Sequence, residues 1–190
     1  MAADLSLSPV GTAAGAWQPD PRAILPLAVF VIVVAGTPGS ANLLAAASGT
    51  QFGLARSLPL LAGLWLGMVT LVAASGAGLG TLILSLPALQ LGLRLAGSAY
   101  LLWLAYRIGT SGPPGEPGAR PALSLPAAFA VGFANNWLNP KGWSAALGAA
   151  ATYSTVAPDP ATLTAILAAM FAVVQVPALV LWCLGGAALA

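Results

Sequence analysis

The sequence predicts an all-α, polytopic transmembrane bundle, and three observations carry that prediction. First, only 5% of its 190 residues are charged, against 59% that are apolar. A soluble domain carries roughly 25% charged residues, so this chain has too few to cover a water-facing surface. Second, the apolar residues gather into long runs, and an α-helical crossing needs about 20 of them. Five such runs use up the chain, which makes a single membrane domain the expected organisation. Third, two of the runs are interrupted near their middles by clusters of Gly, Pro and Asn.

Residues 1–22 hold Asp4, Asp20 and three prolines without a basic start, so they read as a polar N-terminal tail and not as a cleavable signal peptide. Residues 23–47 then form the first crossing. Arg56 ends the connection that follows, and residues 58–84 form the second crossing. Here Gly63 and Gly67, and again Gly76 and Gly80, are four residues apart, a spacing that lets helix backbones approach closely in lipid. The third run, residues 87–108, carries Arg94 near its start and Arg107 at its end, both long enough to snorkel toward headgroups.

Residues 109–124 are polar and contain Pro113, Pro114, Gly115, Pro117 and Gly118, a composition that makes a solvent loop and divides the chain. One unit of three helices, residues 23–108, lies before it. A second unit, residues 125–190, shows two runs, 126–153 and 161–190, separated by Pro158, Asp159 and Pro160. Cations in short loops set orientation: Arg56, Arg107 and Arg120 inside, with Arg22 and Arg94 outside, favour an external N-terminus.

Charge and cysteine usage exclude several classes. The six cations are scattered, with no basic stripe for a phosphate backbone, so nucleic acid is not an expected partner. With no histidine and one cysteine, neither a disulfide nor a Cys/His metal site can form, and no cofactor is expected. Cys183 reads as a packed thiol. Every carboxylate (Asp4, Asp20, Glu116, Asp159) falls in a tail or loop, so the spans hold neither an acid pair nor a Ser/His arrangement. The chain is therefore not expected to be an enzyme. The one catalytic arrangement left is an intramembrane dyad of Lys141 with Ser40 or Ser144.

The two interruptions hold the candidate chemistry. They are Gly36-Thr37-Pro38-Gly39-Ser40-Ala41-Asn42 in the first run and Asn135-Asn136-Trp137-Leu138-Asn139-Pro140-Lys141-Gly142 in the fourth. Proline removes an i to i−4 hydrogen bond, so the carbonyls of Val34 and Asn136 lose their usual donors and need other partners or a wet cavity. Three spans separate the breaks. An odd number of crossings inverts the second unit, and matched interruptions in inverted halves point to a transporter's midplane site.

A break after Pro38 would leave the N–H groups of Gly39, Ser40 and Ala41 at the positive end of a half-helix, which favours a carboxylate. Asn42, Asn135, Asn136 and Asn139 add amides that donate and accept. Lys141 is the only charge near mid-membrane, where an ionisable group costs about 2.5–3.5 kcal/mol and is a functional candidate by default. In an unbroken helix Lys141 would lie about 200° around the axis from Asn139, whereas a break between them lets both face one cavity.

These motifs resemble those of the LysE/RhtB amino-acid exporters. Thr37-Pro38-Gly39-Ser40-Ala41-Asn42-Leu43-Leu44 resembles the family's Pro-Gly-Pro motif, with Ser40 where proline is usual. Gly97-Ser98-Ala99-Tyr100-Leu101-Leu102 resembles its third-span signature, and Asn136-Trp137-Leu138-Asn139-Pro140-Lys141-Gly142-Trp143 its Asn-Pro-Lys motif. Leu60 stands where a histidine is common in the nearest subgroup. The resemblance implies export of a small amino acid or close derivative across a bacterial inner membrane, through two inverted three-helix repeats. Family members continue into a sixth helix, so the second repeat is expected to be incomplete in these 190 residues. A chain of that kind is either a truncated, inactive exporter or one that completes its fold as a homodimer.

The resemblance and the residues together make Pro38, Gly39, Ser40, Asn42, Asn136, Asn139, Pro140 and Lys141 the expected substrate site. Gly39 and Ser40 would hold the carboxylate, Asn42 and Asn139 would supply amide contacts, and Lys141 would compensate charge or gate. A proton cycle would have to use Lys141 or the substrate's own ionisation. The alternative reading is a non-transporting membrane assembly or interaction protein.

Overall fold

A computed structural model describes residues 20–79, 85–110 and 123–189. The polar tail up to residue 19, Gly80 of the second glycine pair, and most of the central loop with Glu116 and Arg120 lie outside the described residues. Among the described residues the structure is helical, with no strand.

Helix α1, Pro21–Gly36, starts where Asp20 accepts a hydrogen bond from the Arg22 amide at 2.9 Å and Pro21 takes the first helical position. It stops at Thr37-Pro38, because Pro38 cannot donate to the preceding turn. Helix α2, Ser40–Ala74, contains a full reversal. Gly53 has φ 70° and ψ 177°, a conformation that glycine adopts without a Cβ clash. The Ser48 and Ser57 hydroxyls lie 2.7 Å apart, although nine residues along a straight helix span about 13.5 Å. The chain thus turns back at Gly53, three residues before Arg56, so residues 40–52 and 54–74 are two antiparallel pieces.

A π-helical turn, Ser75–Leu79, ends the second piece around Gly78, which has φ 95°. Helix α3, Pro87–Gly109, follows. Helix α4, Leu125–Leu138, stops at Asn139 and helix α5, Pro140–Thr152, begins directly after it, so the fourth run is broken as the first is. Helix α6, Pro160–Ala188, is capped by Asp159, whose carboxylate accepts from the Thr162 amide at 2.9 Å and the Thr162 hydroxyl at 2.6 Å.

Two stretches are long and apolar enough to cross a membrane, Pro160–Ala188 and Ser40–Gly78, the latter folded back on itself at Gly53. At 1.5 Å per residue, α1, α4 and α5, with 16, 14 and 13 residues, reach only about 20–24 Å each, short of a hydrocarbon core of about 30 Å. Each broken run therefore consists of two half-length helices. Their outer faces are apolar: Leu25, Val29, Ile32 and Val33 of α1, Leu102 of α3, and Leu181 and Leu184 of α6 are all exposed. A soluble monomer rarely shows such continuous apolar surface, whereas lipid requires it.

The second piece of α2 lies at the centre, packed on α4 and α6 by glycine-mediated contact. A Cβ at Gly63 would collide with the Phe129 carbonyl, and one at Gly132 would collide with the Leu60 carbonyl, so the two helices touch backbone to backbone. Gly67 meets the Phe133 carbonyl in the same way, and Gly76 meets Thr164. A second reciprocal pair, Gly49 against Cys183 and Gly186 against Ala46, docks residues 40–52 on the end of α6. Cys183 is fully buried there as a packed thiol.

The buried apolar residues form two clusters. Leu27 and Val31 of α1 meet Met68, Leu71 and Val72 of α2, Ala145, Ala146 and Ala149 of α5, and Leu163, Leu167 and Phe171 of α6. Ala45, Leu60, Leu61, Leu64, Leu179 and Cys183 form the other. Met68 and Phe171 of the first cluster share a cavity wall with Ala41, which packs against the second.

Candidate functional site

The two helix breaks meet. Asn139, between α4 and α5, donates from Nδ2 to the Ser40 hydroxyl at 2.8 Å, while its Oδ1 accepts from the Lys141 amide at 3.0 Å and so caps α5. Lys141 Nζ reaches the other break and donates to the Thr37 carbonyl at 2.8 Å. Its Cδ and Nζ lie 3.1 Å from where a Cβ on Gly39 would stand. The break at Asn139 is what turns Lys141 and Asn139 to the same side, since an uninterrupted helix would point them apart.

The carbonyls freed at the end of α1 find specific donors, as burial away from water demands. Asn42 Nδ2 donates to the carbonyls of Ala35 at 2.8 Å and Thr37 at 2.9 Å. Trp182 Nε1 donates to Gly36 at 3.2 Å, and the Thr37 amide and hydroxyl both bond to Val33. At the second break the Asn136 carbonyl accepts from the Asn139 amide at 3.3 Å, and Trp143 Nε1 donates to the Trp137 carbonyl at 2.9 Å. Asn136 Nδ2 bonds across to the Leu64 carbonyl.

The two half-helices that begin here differ. Asn139 caps α5, but Gly39 supplies no side chain to the start of α2. The first amides of α2 have no intrahelical acceptor, so they present positive ends beside an ammonium. A cavity of about 50 Å³ opens at this point, and its polar lining comes from Asn42, Asn136, Asn139, Lys141 and Gln175, with Gly39 at its edge. That lining holds one full charge, that of Lys141, and no carboxylate. The arrangement is suited to an anionic group placed between Lys141 and the open end of α2.

Of the residues singled out in the sequence, Gly39, Asn42, Asn136, Asn139 and Lys141 line the cavity. Ser40 sits behind it as the acceptor for Asn139, and Pro38 and Pro140 shape the breaks without lining it. Asn135 is fully buried and faces elsewhere, with neither amide atom hydrogen-bonded. The Ser40 hydroxyl engages Asn139 and the Lys141 amine engages Thr37, so the geometry does not pair Ser40 with Lys141, and Ser144 is exposed. Two contributors escape a reading of the sequence by motif. The Thr37 carbonyl is invisible to side-chain motifs, whereas Gln175 carries a signal as a polar residue within an apolar span.

Described residues that are helical throughout their regular structure, with apolar outer faces and two broken helices meeting at a cationic cavity, define a helical membrane protein. Its family is shown by sequence: residues 32–190 match the LysE type translocator family, and the chain belongs to that family. It is 38% identical over 109 residues to the cysteine/O-acetylserine efflux protein of Escherichia coli (strain K12), covering 56% of this chain and 54% of that protein. The protein of the same name from Salmonella typhimurium is 35% identical over 113 residues, covering 59% and 55% respectively. The chain spans about half the length of the curated relatives it matches. No solved structure matches it.

Proposed function

We propose that this chain exports a small amino acid or a close derivative across the bacterial inner membrane as a secondary transporter, without catalysing a reaction. The observation that supports this reading most directly is the contact of the two broken runs, made by Lys141 on Thr37 and Asn139 on Ser40 around a shared cavity. A discontinuous helix leaves half-helix ends that recognise charged groups at the membrane midplane, which is where alternating access needs its site. We read residues 23–108 and 125–190 as inverted units, each opening with one of these broken runs.

The substrate carboxylate would sit at the uncapped start of α2, on the amides around Gly39 and Ser40. There it competes with the neutral Thr37 carbonyl for the Lys141 ammonium, and a charge-assisted hydrogen bond to a carboxylate is roughly twice as strong as one between neutral groups. Binding would thereby release one of the two links between the breaks, that of Lys141 to Thr37, and that link is the gate. The relatives' names add cysteine and O-acetylserine to the substrates worth testing.

The test is efflux of labelled alanine, serine, cysteine and O-acetylserine from preloaded cells expressing this chain or its Lys141→Ala variant. Export by the native chain that falls at least tenfold in Lys141→Ala, at equal membrane abundance, is the expected result. Equal export by both would remove the site from the mechanism, and no export of any of the four by the native chain would overturn the reading.

A further inference from the structure

We propose that Gln175 of α6 accepts the substrate's ammonium group, so that the cavity selects α-amino acids over the corresponding 2-hydroxy acids. This deepens the export reading above and rests on it. Gln175 lies in an apolar stretch, between Val174 and Val176, and is only 7% exposed. Its Nε2 donates to the Leu64 carbonyl at 3.3 Å, and its Oε1 has no hydrogen-bond partner. Turning the amide over would set Oε1 against the Leu64 carbonyl, two acceptors face to face, so Leu64 fixes which end is left unmatched.

A buried carbonyl oxygen without a donor is costly in a protein interior, and the natural way to satisfy it is a donor that arrives with the ligand. Gln175 shares its cavity with Lys141 and belongs to α6, an element outside both broken runs. The cavity thus offers a cation and an open helix start, with a lone acceptor buried on a third element, in a residue that also lines it. That polarity matches a zwitterion, with the carboxylate toward Lys141 and the ammonium toward Gln175.

Gln175 also ties α6 to α2 through Leu64, and a purely structural role would lower stability without changing which ligand is preferred. The discriminating measurement is competition binding to the purified full chain in lipid nanodiscs, with two near-isosteric pairs: alanine against lactate, and serine against glycerate. The wild-type chain is expected to prefer each amino acid to its hydroxy acid by tenfold or more, because an ammonium makes a charge-assisted hydrogen bond to the acceptor, roughly twice as strong as the one a neutral hydroxyl can donate. Gln175→Met, which keeps length and apolar volume, should bring both ratios close to one by weakening the amino acids. Gln175→Glu keeps the acceptor oxygens and should hold or raise the ratios.

Ratios unchanged in Gln175→Met, or lowered in Gln175→Glu, would overturn the proposal. If Gln175→Met fails to fold, the Gln175→Glu result and the wild-type ratios decide, since a wild-type chain that binds both members of a pair equally has no ammonium acceptor. Failure of the underlying reading has a different signature. It is shown by a wild-type chain that binds none of the four compounds, or by Lys141→Met leaving all affinities unchanged.

Discussion

Lys141 Nζ donates to the Thr37 carbonyl at 2.8 Å and so joins the second helix break to the first across 104 residues of sequence. The same carbonyl accepts from Asn42 Nδ2 at 2.9 Å, which means that Thr37 is held by one fixed donor and one long, flexible one. Only the flexible donor can leave without breaking the turn. The link is therefore suited to exchange its partner while the backbone around it keeps its shape.

Gly39 controls the space available to that side chain. A methyl group at this position would stand 3.1 Å from Lys141 Cδ and Nζ, tighter than ordinary contact, and the end of a lysine can shift to relieve it. Gly39 has φ −165°, extended backbone that alanine also adopts. Gly39→Ala should leave thermal stability near that of the native chain and raise the half-saturation concentration for export about three- to tenfold, or roughly 0.6–1.4 kcal/mol. Concentration-dependent efflux measured beside a thermal unfolding curve tests both parts.

Asn139 does two jobs, capping α5 through the Lys141 amide and bonding to Ser40. Removing the cap costs about 1 kcal/mol, and the lost hydrogen bond adds about 1 more. Asn139→Ala should lower stability by about 2 kcal/mol and Ser40→Ala by about 1, while the double variant loses no more than about 2, because both single changes delete the same bond. Denaturant titration in mixed micelles gives the three values, and strict additivity would contradict the pairing.

Glycine positions divide by what surrounds them. A side chain at Gly132 would strike the Leu60 carbonyl, a backbone atom that cannot rotate away, so Gly132→Val should destabilise by about 1–3 kcal/mol or block insertion. A methyl group on Gly148 of α5 would meet nothing within 4 Å, and Gly148→Ala should stabilise by up to about 1 kcal/mol through helix propensity. Comparing the unfolding midpoints of the two variants checks the contrast.

Asp159 lies outside the spans, and its hydrogen bonds from the Thr162 hydroxyl and then the Thr162 amide hold its carboxyl below the ordinary aspartate range. The folded value is depressed, so the contribution of this cap is fully present above the unfolded aspartate value and disappears as pH falls through the folded one. The exchange rate of the Thr162 amide, taken relative to the intrinsic rate at each pH, should rise in the native chain only below the ordinary aspartate range. In Asp159→Asn the rate should lack that acid step, because the amide keeps the acceptor and cannot be protonated there.

Much of the helical layout is legible in the sequence because its causes are local. Pro38 lacks an N–H wherever it stands, so α1 ends at the first interruption, and Pro140 opens α5 directly after Asn139 in the same way. Asp159 preceding Pro160 marks a helix start by the same local chemistry. The turn at Gly53 falls within the connection expected between residues 47 and 58, but its exact residue is not legible. Arg56 is the conspicuous polar residue of the connection, but the reversal occurs at a glycine inside an unremarkable stretch, where only φ distinguishes it from the glycines that pack.

Composition alone determined that this chain belongs in lipid, because 5% charge cannot clothe a surface in water, and Pro38 and Pro140 marked where the two broken runs are interrupted. Tertiary structure decided everything that joins residues far apart: Lys141 to Thr37, Asn139 to Ser40, Trp182 to Gly36, and Gln175 with Asn136 to the Leu64 carbonyl. The reason is physical. A break in a helix follows from one residue and its neighbours, whereas the partner that satisfies the freed carbonyl is chosen by how whole helices pack, and within glycine-lined contacts that choice leaves no periodic trace along the chain.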